Sequence, residues 1–599
     1  MAIHSPAVPP RRAVEKSLDK PLIAVFLLGT LLKLLLLPSY RSTDFEVHRN
    51  WLAITASLPR TQWYFDTGSE WTLDYPPFFA WFERLLGAAA TYVDPGMLNL
   101  HALGYASHRT IVFQRLSVIL SDVVLFASII KYCNAWPRVT TTEVAFNTNK
   151  RVVVVLLTFL DAGLIMVDHV HFQYNGVLLG LLILSVAYIR DGQDVKGAFV
   201  YAVLLMMKHI YLYVALLYFV YLFGHYCYAV PPPTTPQAVQ QAHHQVRRRS
   251  LSNTDTHETL AHLVAGRGRF QITRFLTLGI VVLGVFAAAL GSVIWPDGSL
   301  PTHSVGEHLA QIASRLFPVQ RGLCHAYWAP NVWALYAFAD KVLVTVLRVP
   351  APVGTMSGGL VQDAVFVVLP TVAPWVCAVL TLLAMAPVLR DVYRYPDPAL
   401  FMPALVYCML CSFLFGYHVH EKAILQATLP LGLLAVESTR DAKLYRVATL
   451  VGNISLFPLL FTTAEVGTRL LLTAGHALLA HVCLYPYHAH SLKRRRIKYT
   501  GIGLSLWQRL YLHAVAGVAV VSMALPIVLP RYPFLPLLLT SVSCAGGVIY
   551  VWLSALQLHK RKLGALKSYL PQPSTAALKH KSMDEPNVVR AANSRYDIK

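Results

Sequence analysis

Charge is what this sequence has least of. Only 14% of its 599 residues are Asp, Glu, Lys or Arg, while 55% are hydrophobic. A soluble chain carries about 25% charged residues, so a string of ordinary soluble domains is excluded. Other signals are absent too. No G-x-x-x-x-G-K phosphate loop, Rossmann glycine pattern or serine-centred nucleophile elbow occurs. The eight cysteines, from Cys133 to Cys544, are scattered and give no disulfide framework. Cys408 and Cys411 have CxxC spacing, but they stand in an apolar segment without further ligands, which favours helix packing. The N-x-S/T triplet Asn453-Ile454-Ser455 lies inside an apolar run and is expected to be unmodified.

What fills the chain instead is a series of apolar runs of about 17 to 25 residues, each long enough to cross a bilayer. The reading is an all-α polytopic membrane protein. A net charge of +21 invites nucleic-acid binding. That partner is rejected, because the basic residues fall in short clusters between apolar runs, as cytoplasmic loops do. Arg11, Arg12, Lys16 and Lys20 precede the apolar stretch Leu22 to Leu37, and no small-residue cleavage site follows. This predicts an uncleaved signal anchor with a cytosolic N-terminus.

The distribution of Lys and Arg predicts about fourteen crossings with both termini cytosolic. Residues 1–20 form a cytosolic tail and residues 21–228 an N-terminal transmembrane module. Its first loop, 40–112, holds five Lys/Arg against seven acids and reads as non-cytosolic. The run 197–225 must go out and back, with Lys208-His209 near the outer tip. Residues 229–273 form a cytosolic low-complexity insert containing Arg247-Arg248-Arg249, Ser250 and Ser252. A C-terminal module, 274–556, carries the outer loop 297–363, and 557–599 is a cytosolic tail. Within the module, 331–348 reads as interfacial or re-entrant and 364–388 as a crossing.

Every polar, aromatic-rich loop then lands on one side. The stretch Ser42 to Trp51 follows the first crossing directly. Thr43 and Glu46 have capping-box spacing, which would place Asp44 in the first turn of a helix. Asp44, Val47, His48 and Trp51 share one helical face. A carboxylate, an imidazole and an indole on one stripe suit sugar chemistry: the first can take a hydroxyl proton, and the last can stack on a pyranose. Helix capping alone is the competing reading. Asp74 precedes Tyr75-Pro76-Pro77 and is either a binding group or turn chemistry, and Pro77 can open a helix over Phe78 to Leu86. The aromatics from Trp63 to Phe82 fit an interfacial belt or a platform for lipid or sugar. His169 and His171 could pair on a metal, but no further ligands with suitable spacing stand nearby, so no metal is expected. Lys208, His209, Arg321, His325, His418, His420, Glu421 and Lys422 are ionisable groups at membrane edges, where such groups are costly. Snorkelling serves Lys208 adequately; it serves the dense cluster His418 to Lys422 poorly.

The loop Ser42 to Glu83, the turn Asp168 to Gly176, Lys208-His209-Ile210-Tyr211, Arg321 to Asn331 and His418 to Ile424 together resemble the dolichyl-phosphate-glucose-dependent α-1,3-glucosyltransferases of the endoplasmic reticulum. The resemblance runs from about residue 20 to 556, omitting the 229–269 insert. It implies a GT-C fold with a lumenal active site in the endoplasmic reticulum membrane. It implies dolichyl phosphate β-glucose as donor and a dolichyl diphosphate oligosaccharide as acceptor. The motifs from Arg321 and from His418 are closest to the member that adds the second glucose, to Glc1Man9GlcNAc2; the member that adds the first is the alternative. A lipid or sugar transporter is a more distant one. The resemblance further implies that Asp44 is the catalytic base and that no metal or other cofactor is needed. Asp74, Lys208, His209, Arg321, His325, His418 and Lys422 become candidates for substrate binding, the cationic ones for the donor phosphate.

Overall fold

The apolar runs fold as helices, and polar residues cap the starts of six of them. The computed structural model describes residues 11–134, 149–229, 268–295, 303–317, 322–325, 328–350, 366–494 and 503–568. The first half contains α1 (Arg11–Leu35), α2 (Thr43–Ser57), α3 (Pro77–Val93), α4 (His108–Asn134), α5 (Lys150–Phe159), α6 (Asn175–Arg190), α7 (Asp194–Met207) and α8 (Ala215–His225). The second contains α9 (Ile272–Ile294), α10 (Val305–Leu316), α11 (Val332–Leu347), α12 (Pro374–Arg394), α13 (Pro398–Phe415), α14 (Leu425–Leu434), α15 (Thr439–Ser455), α16 (Glu465–Arg494), α17 (Leu506–Val528) and α18 (Leu535–Lys567). Asn149, Asn331, Asp397 and Ser438 each accept a backbone N–H at the start of the helix that follows, and Ser304 and Ser505 form full capping boxes.

Eight helices among the described residues are long and apolar enough to cross a membrane. The first expected crossing falls on α1, 25 residues long but carrying Lys20 and Lys33; the others fall on shorter or interrupted helices. The run 197–225 breaks where expected: α7 stops at Met207, and Lys208 leads into a 3-10 turn, His209–Val214, before α8. The expected crossing at 364–388 starts later, at Pro374. Asp340 collects the backbone N–H groups of Val367, Val368 and Leu369 at 2.7–3.1 Å and holds that stretch out of the helix. Residues 331–348 form α11, only 16 residues long. The insert between residues 230 and 267 and the tail beyond 568 lie outside the described residues.

Outer faces of α9, α16 and α17 expose Leu and Val, as helices in contact with lipid do. The buried interior contains charge as well. Lys33 of α1 reaches Asp122 of α4 at 2.7 Å, and His169 Nε2 lies 2.8 Å from the same carboxylate. All three side chains are 2% exposed or less. A lone charge there would be prohibitive, so the cluster fixes the depth at which α1 and α4 meet the segment carrying His169.

Candidate active site

That segment is irregular. After α5, residues Ile165–Phe172 wind as a π-helical turn, and Phe172 adopts φ 93. Such turns are rare and gather at functional sites. The wider turn separates two histidines that the sequence placed side by side. His169 points to Asp122, whereas His171 points to Asp44. Arg115 clamps the arrangement from α4, donating to the carbonyls of His169 at 2.5 Å and Tyr40 at 2.7 Å.

Asp44 occupies the first turn of α2, but no capping box is present. Ser42 is the N-cap residue and makes no side-chain cap; its hydroxyl donates to the His171 carbonyl instead. Glu46 pairs with Arg49 at 2.7 Å. Val47, His48 and Trp51 also do not form an open sugar platform. His48 bonds Glu83 at 2.7 Å beneath the site, and the buried Trp51 indole donates to the Thr72 carbonyl at 3.1 Å. The aromatic loop packs inward around them: Trp63, Tyr64 and Phe79 are buried. Pro77 does open α3, which runs on to Val93.

Asp44 Oδ2 receives Lys422 Nζ at 2.5 Å and Gln173 Nε2 at 2.6 Å, and His171 Nε2 lies 3.3 Å away. None of these contacts uses Oδ1, and the side chain is 23% exposed. Burial alone would raise the Asp44 pKa. The Lys422 ammonium and the His171 ring overcome that effect and hold it well below the usual carboxylate range. The Tyr40 hydroxyl donates to the Leu459 carbonyl at 2.5 Å, and His171 Nδ1 lies 2.7 Å from the Tyr40 oxygen. On its other edge, His171 Nε2 faces both Asp44 Oδ2 at 3.3 Å and Lys422 Nζ at 3.4 Å.

Gln173 continues the network away from Asp44. Its Oε1 accepts from Asn175 Nδ2 at 2.9 Å, and that amide also donates to Asp168. Lys208 Nζ donates to Asn175 Oδ1 at 3.1 Å and sits 4.9 Å over the Tyr75 ring. Burial and the nearby Lys422 charge push Lys208 down to about 8, against the pull of Asp168, Asp44 and Asp74. Asp74 is half-buried and contributes to this field from the 71–76 loop.

The wall carrying Lys422 is built by two strand-like bridges, Cys324 to Val419 and Trp328 to His420. His418 adopts φ 52 and its Nδ1 lies 2.9 Å from the Gly322 carbonyl, which brings the His325 and His420 rings to 3.9 Å. Glu421 is buried beside them, with Oε2 at 2.8 Å from His420 Nδ1. Burial raises its pKa to about 8 despite Lys422. The donor atoms of His325, His420 and Glu421 lie within 4.8 Å of one another, a metal-capable set in a chain for which no metal is expected, and distinct from the His169 and His171 pair that the sequence offers and that is set aside above.

Among the candidates read from sequence, Asp44, Lys422 and Lys208 share one network, with Asp74 close by. His325 and His418 line the adjoining wall. His209 faces Phe317 instead, and Arg321 lies outside the described residues. Tyr40, Gln173 and Asn175 were missed as members of the site. Gln173 and Asn175 lie in the Asp168 to Gly176 turn that carries part of the resemblance, and as polar residues directly after an apolar crossing they could have been singled out.

Comparison with known proteins places this geometry in context. Residues 29–555 match the model of the ALG6, ALG8 glycosyltransferase family. A mouse protein named dolichyl pyrophosphate Glc1Man9GlcNAc2 alpha-1,3-glucosyltransferase is 43% identical over 87% of this chain and 92% of its own length. Proteins with the same name from Arabidopsis thaliana and Bos taurus are 40% and 42% identical, covering 91% and 88% of this chain and 98% and 93% of their own lengths.

Proposed function

The chain belongs to the ALG6, ALG8 glycosyltransferase family, and we propose that it transfers glucose from dolichyl phosphate β-glucose to Glc1Man9GlcNAc2 diphosphodolichol, forming an α-1,3 linkage. The helical architecture is of the GT-C class. The name shared by the full-length relatives supports this acceptor over the non-glucosylated one. The donor rests on the resemblance of the site motifs. Residence in the endoplasmic reticulum membrane rests on the family, and a lumenal site with cytosolic termini rests on the sequence's positive loops falling on one side.

A β donor and an α product require inversion at the anomeric carbon, hence one base and a departing phosphate. One observation carries the assignment of that base: Lys422, Gln173 and His171 all sit at Asp44 Oδ2, while Oδ1 takes none of them. The acceptor hydroxyl attacks the carbon opposite the phosphate, and Asp44 receives its proton. The electron pair of the breaking C–O bond leaves with dolichyl phosphate. Lys422 and Lys208 then supply positive charge to the phosphate oxygens. Gln173 and Asn175 orient Asp44 and Lys208.

Purified protein with defined donor and acceptor tests the proposal. Asp44→Asn is expected to cut transfer by about 10²–10⁴-fold with thermal stability retained. Wild-type transfer by that variant refutes the base. Glucosylation of Man9GlcNAc2 in preference to the monoglucosylated lipid points to the first-glucose reaction. Lipid movement without transfer points to a transporter.

A further inference from the structure

At the opposite end of the bundle lies a feature this chemistry does not use. A cleft of about 520 Å³ runs between α16 and α17, over α15. Arg446, His481, Arg509 and His513 line its rim, and Leu450 and Leu512 its floor. Chain direction fixes its depth. Glu465 starts α16 beside the candidate site, where it accepts the Tyr40 N–H at 3.0 Å. His481 lies sixteen residues further along the same helix, about 24 Å away at 1.5 Å per residue, close to the far membrane surface.

His481, Arg509 and His513 are exposed on helices that also present Leu478, Val482 and Leu510 outward. Ionisable groups on a lipid-facing flank are expensive unless they meet headgroups. Neither Arg446 nor Arg509 has an acidic side chain within ion-pair distance among the described residues. Burial, Arg440 and Arg446 together hold the Lys443 ammonium below its ordinary pKa. Exposed Trp507 and Tyr485 flank the cleft at the level where aromatics anchor in an interface.

We infer that this cleft binds the phosphate headgroup of an anionic phospholipid, with Arg446 and Arg509 on the phosphate and the apolar floor against the glycerol and upper acyl chains. Basic pockets between transmembrane helices serve anionic lipids in this way. The inference is independent of the glucosyl-transfer reading.

Native mass spectrometry of the full-length protein in detergent tests it, with dihexanoyl phosphatidic acid and dihexanoyl phosphatidylcholine as probes. Phosphatidic acid is expected to bind the more tightly. Arg446→Gln with Arg509→Gln should weaken it by about 30-fold and leave phosphatidylcholine unchanged. The charge-keeping pair Arg446→Lys and Arg509→Lys should retain most of the binding, and Asp44-dependent transfer should be equal in all three proteins. Three results overturn the inference: unchanged phosphatidic acid binding in the Gln pair, equal affinity for both lipids, or displacement of phosphatidic acid by an equal concentration of inorganic phosphate.

Discussion

Lys422 is asked to do two things, and one substitution separates them. In this structure its ammonium sits 2.5 Å from Asp44 Oδ2 and holds that carboxyl well below its ordinary pKa, against the opposing effect of burial. A carboxylate so stabilised is a weak base. On the proposed mechanism, a bound donor phosphate would compete for the ammonium, and Asp44 would regain basicity as the phosphate takes the charge. Lys422→Met removes both effects. Loss of one cation from a developing phosphate charge costs about 3–4 kcal/mol in the transition state, or about 10²–10³ in kcat/KM. The same change leaves burial opposed only by His171, so the Asp44 pKa rises. The base must be ionised to act, so the acid limb of the kcat/KM profile, which reports the free enzyme, moves to higher pH. Lys422→Arg keeps the charge and should leave that limb near its wild-type position. The assay is initial-rate transfer across pH with purified protein. An unchanged kcat/KM in the Met variant refutes the phosphate role. A large loss with the acid limb unmoved refutes the pairing with Asp44.

Four further outcomes are expected. Lys208 is held at about 8, so the KM for donor should rise as pH passes that value while the ammonium discharges; a flat donor KM to pH 9 in an otherwise active enzyme contradicts its phosphate role. Gly176→Ala would place a Cβ 2.1 Å from Asp122 Oδ1, and the cost should be about 2–4 kcal/mol, read as a lowered melting temperature in detergent; Gly279→Ala in α9 meets nothing within 4 Å and should melt like wild type. Asp122→Asn leaves Lys33 buried and unpaired at about 3–5 kcal/mol, and Lys33→Met combined with Asp122→Leu should recover much of that; equal melting of the single and double variants refutes a buried ion pair. Chelation with EDTA should leave transfer intact, because Lys422 and Lys208 supply the positive charge; loss of activity restored by a divalent cation would assign His325, His420 and Glu421 as its ligands.

The sequence carried much of this arrangement and hid the rest for identifiable reasons. Asp44 was legible as a carboxylate just past an apolar crossing, and Lys422 as one of several ionisable groups crowded at a helix junction. The break at Lys208-His209 followed from the length of the run, its interruption by two ionisable residues and the positive charge on both flanks. The capping box was misread because Thr43 and Glu46 have the right spacing, yet Ser42 takes the cap position and His171 takes its hydroxyl. Only tertiary contact decides that. Likewise the helix expected near 364 is delayed to Pro374 by the Asp340 carboxylate, which comes from a different helix. His169 and His171 looked like a ligand pair because they are close in sequence. Two residues apart on a helical turn point to nearly opposite sides, and each found its own carboxylate. Gln173 could not be assigned at all from spacing, since its partner lies 129 residues earlier.

Of the three non-glycine residues with positive φ among the described residues, two stand on the walls of the site, and the third, Arg348, ends α11. Phe172, directly after His171, has φ 93, and His418, four residues before Lys422, has φ 52. Left-handed conformations at bulky residues cost about 1–3 kcal/mol and persist only where surrounding contacts over-determine them. Those contacts are identifiable on both walls. Beneath Phe172 stand Phe45, His48 and Tyr174, with the Lys33, Asp122 and His169 cluster behind them. Beneath His418 stand the bridges from Cys324 and Trp328. The buried ion cluster within the first crossings therefore has a consequence at the site: it holds the π-turn that aims His171 and Gln173 at Asp44. The two walls come from opposite halves of the chain and meet at the Asp44–Lys422 pair. That contact ties one wall to the other at 2.5 Å. On the roles proposed for Lys422 and Asp44, a donor phosphate that takes Lys422 would convert the same contact from a structural tie into a working base, and donor binding is expected to precede deprotonation of the acceptor hydroxyl.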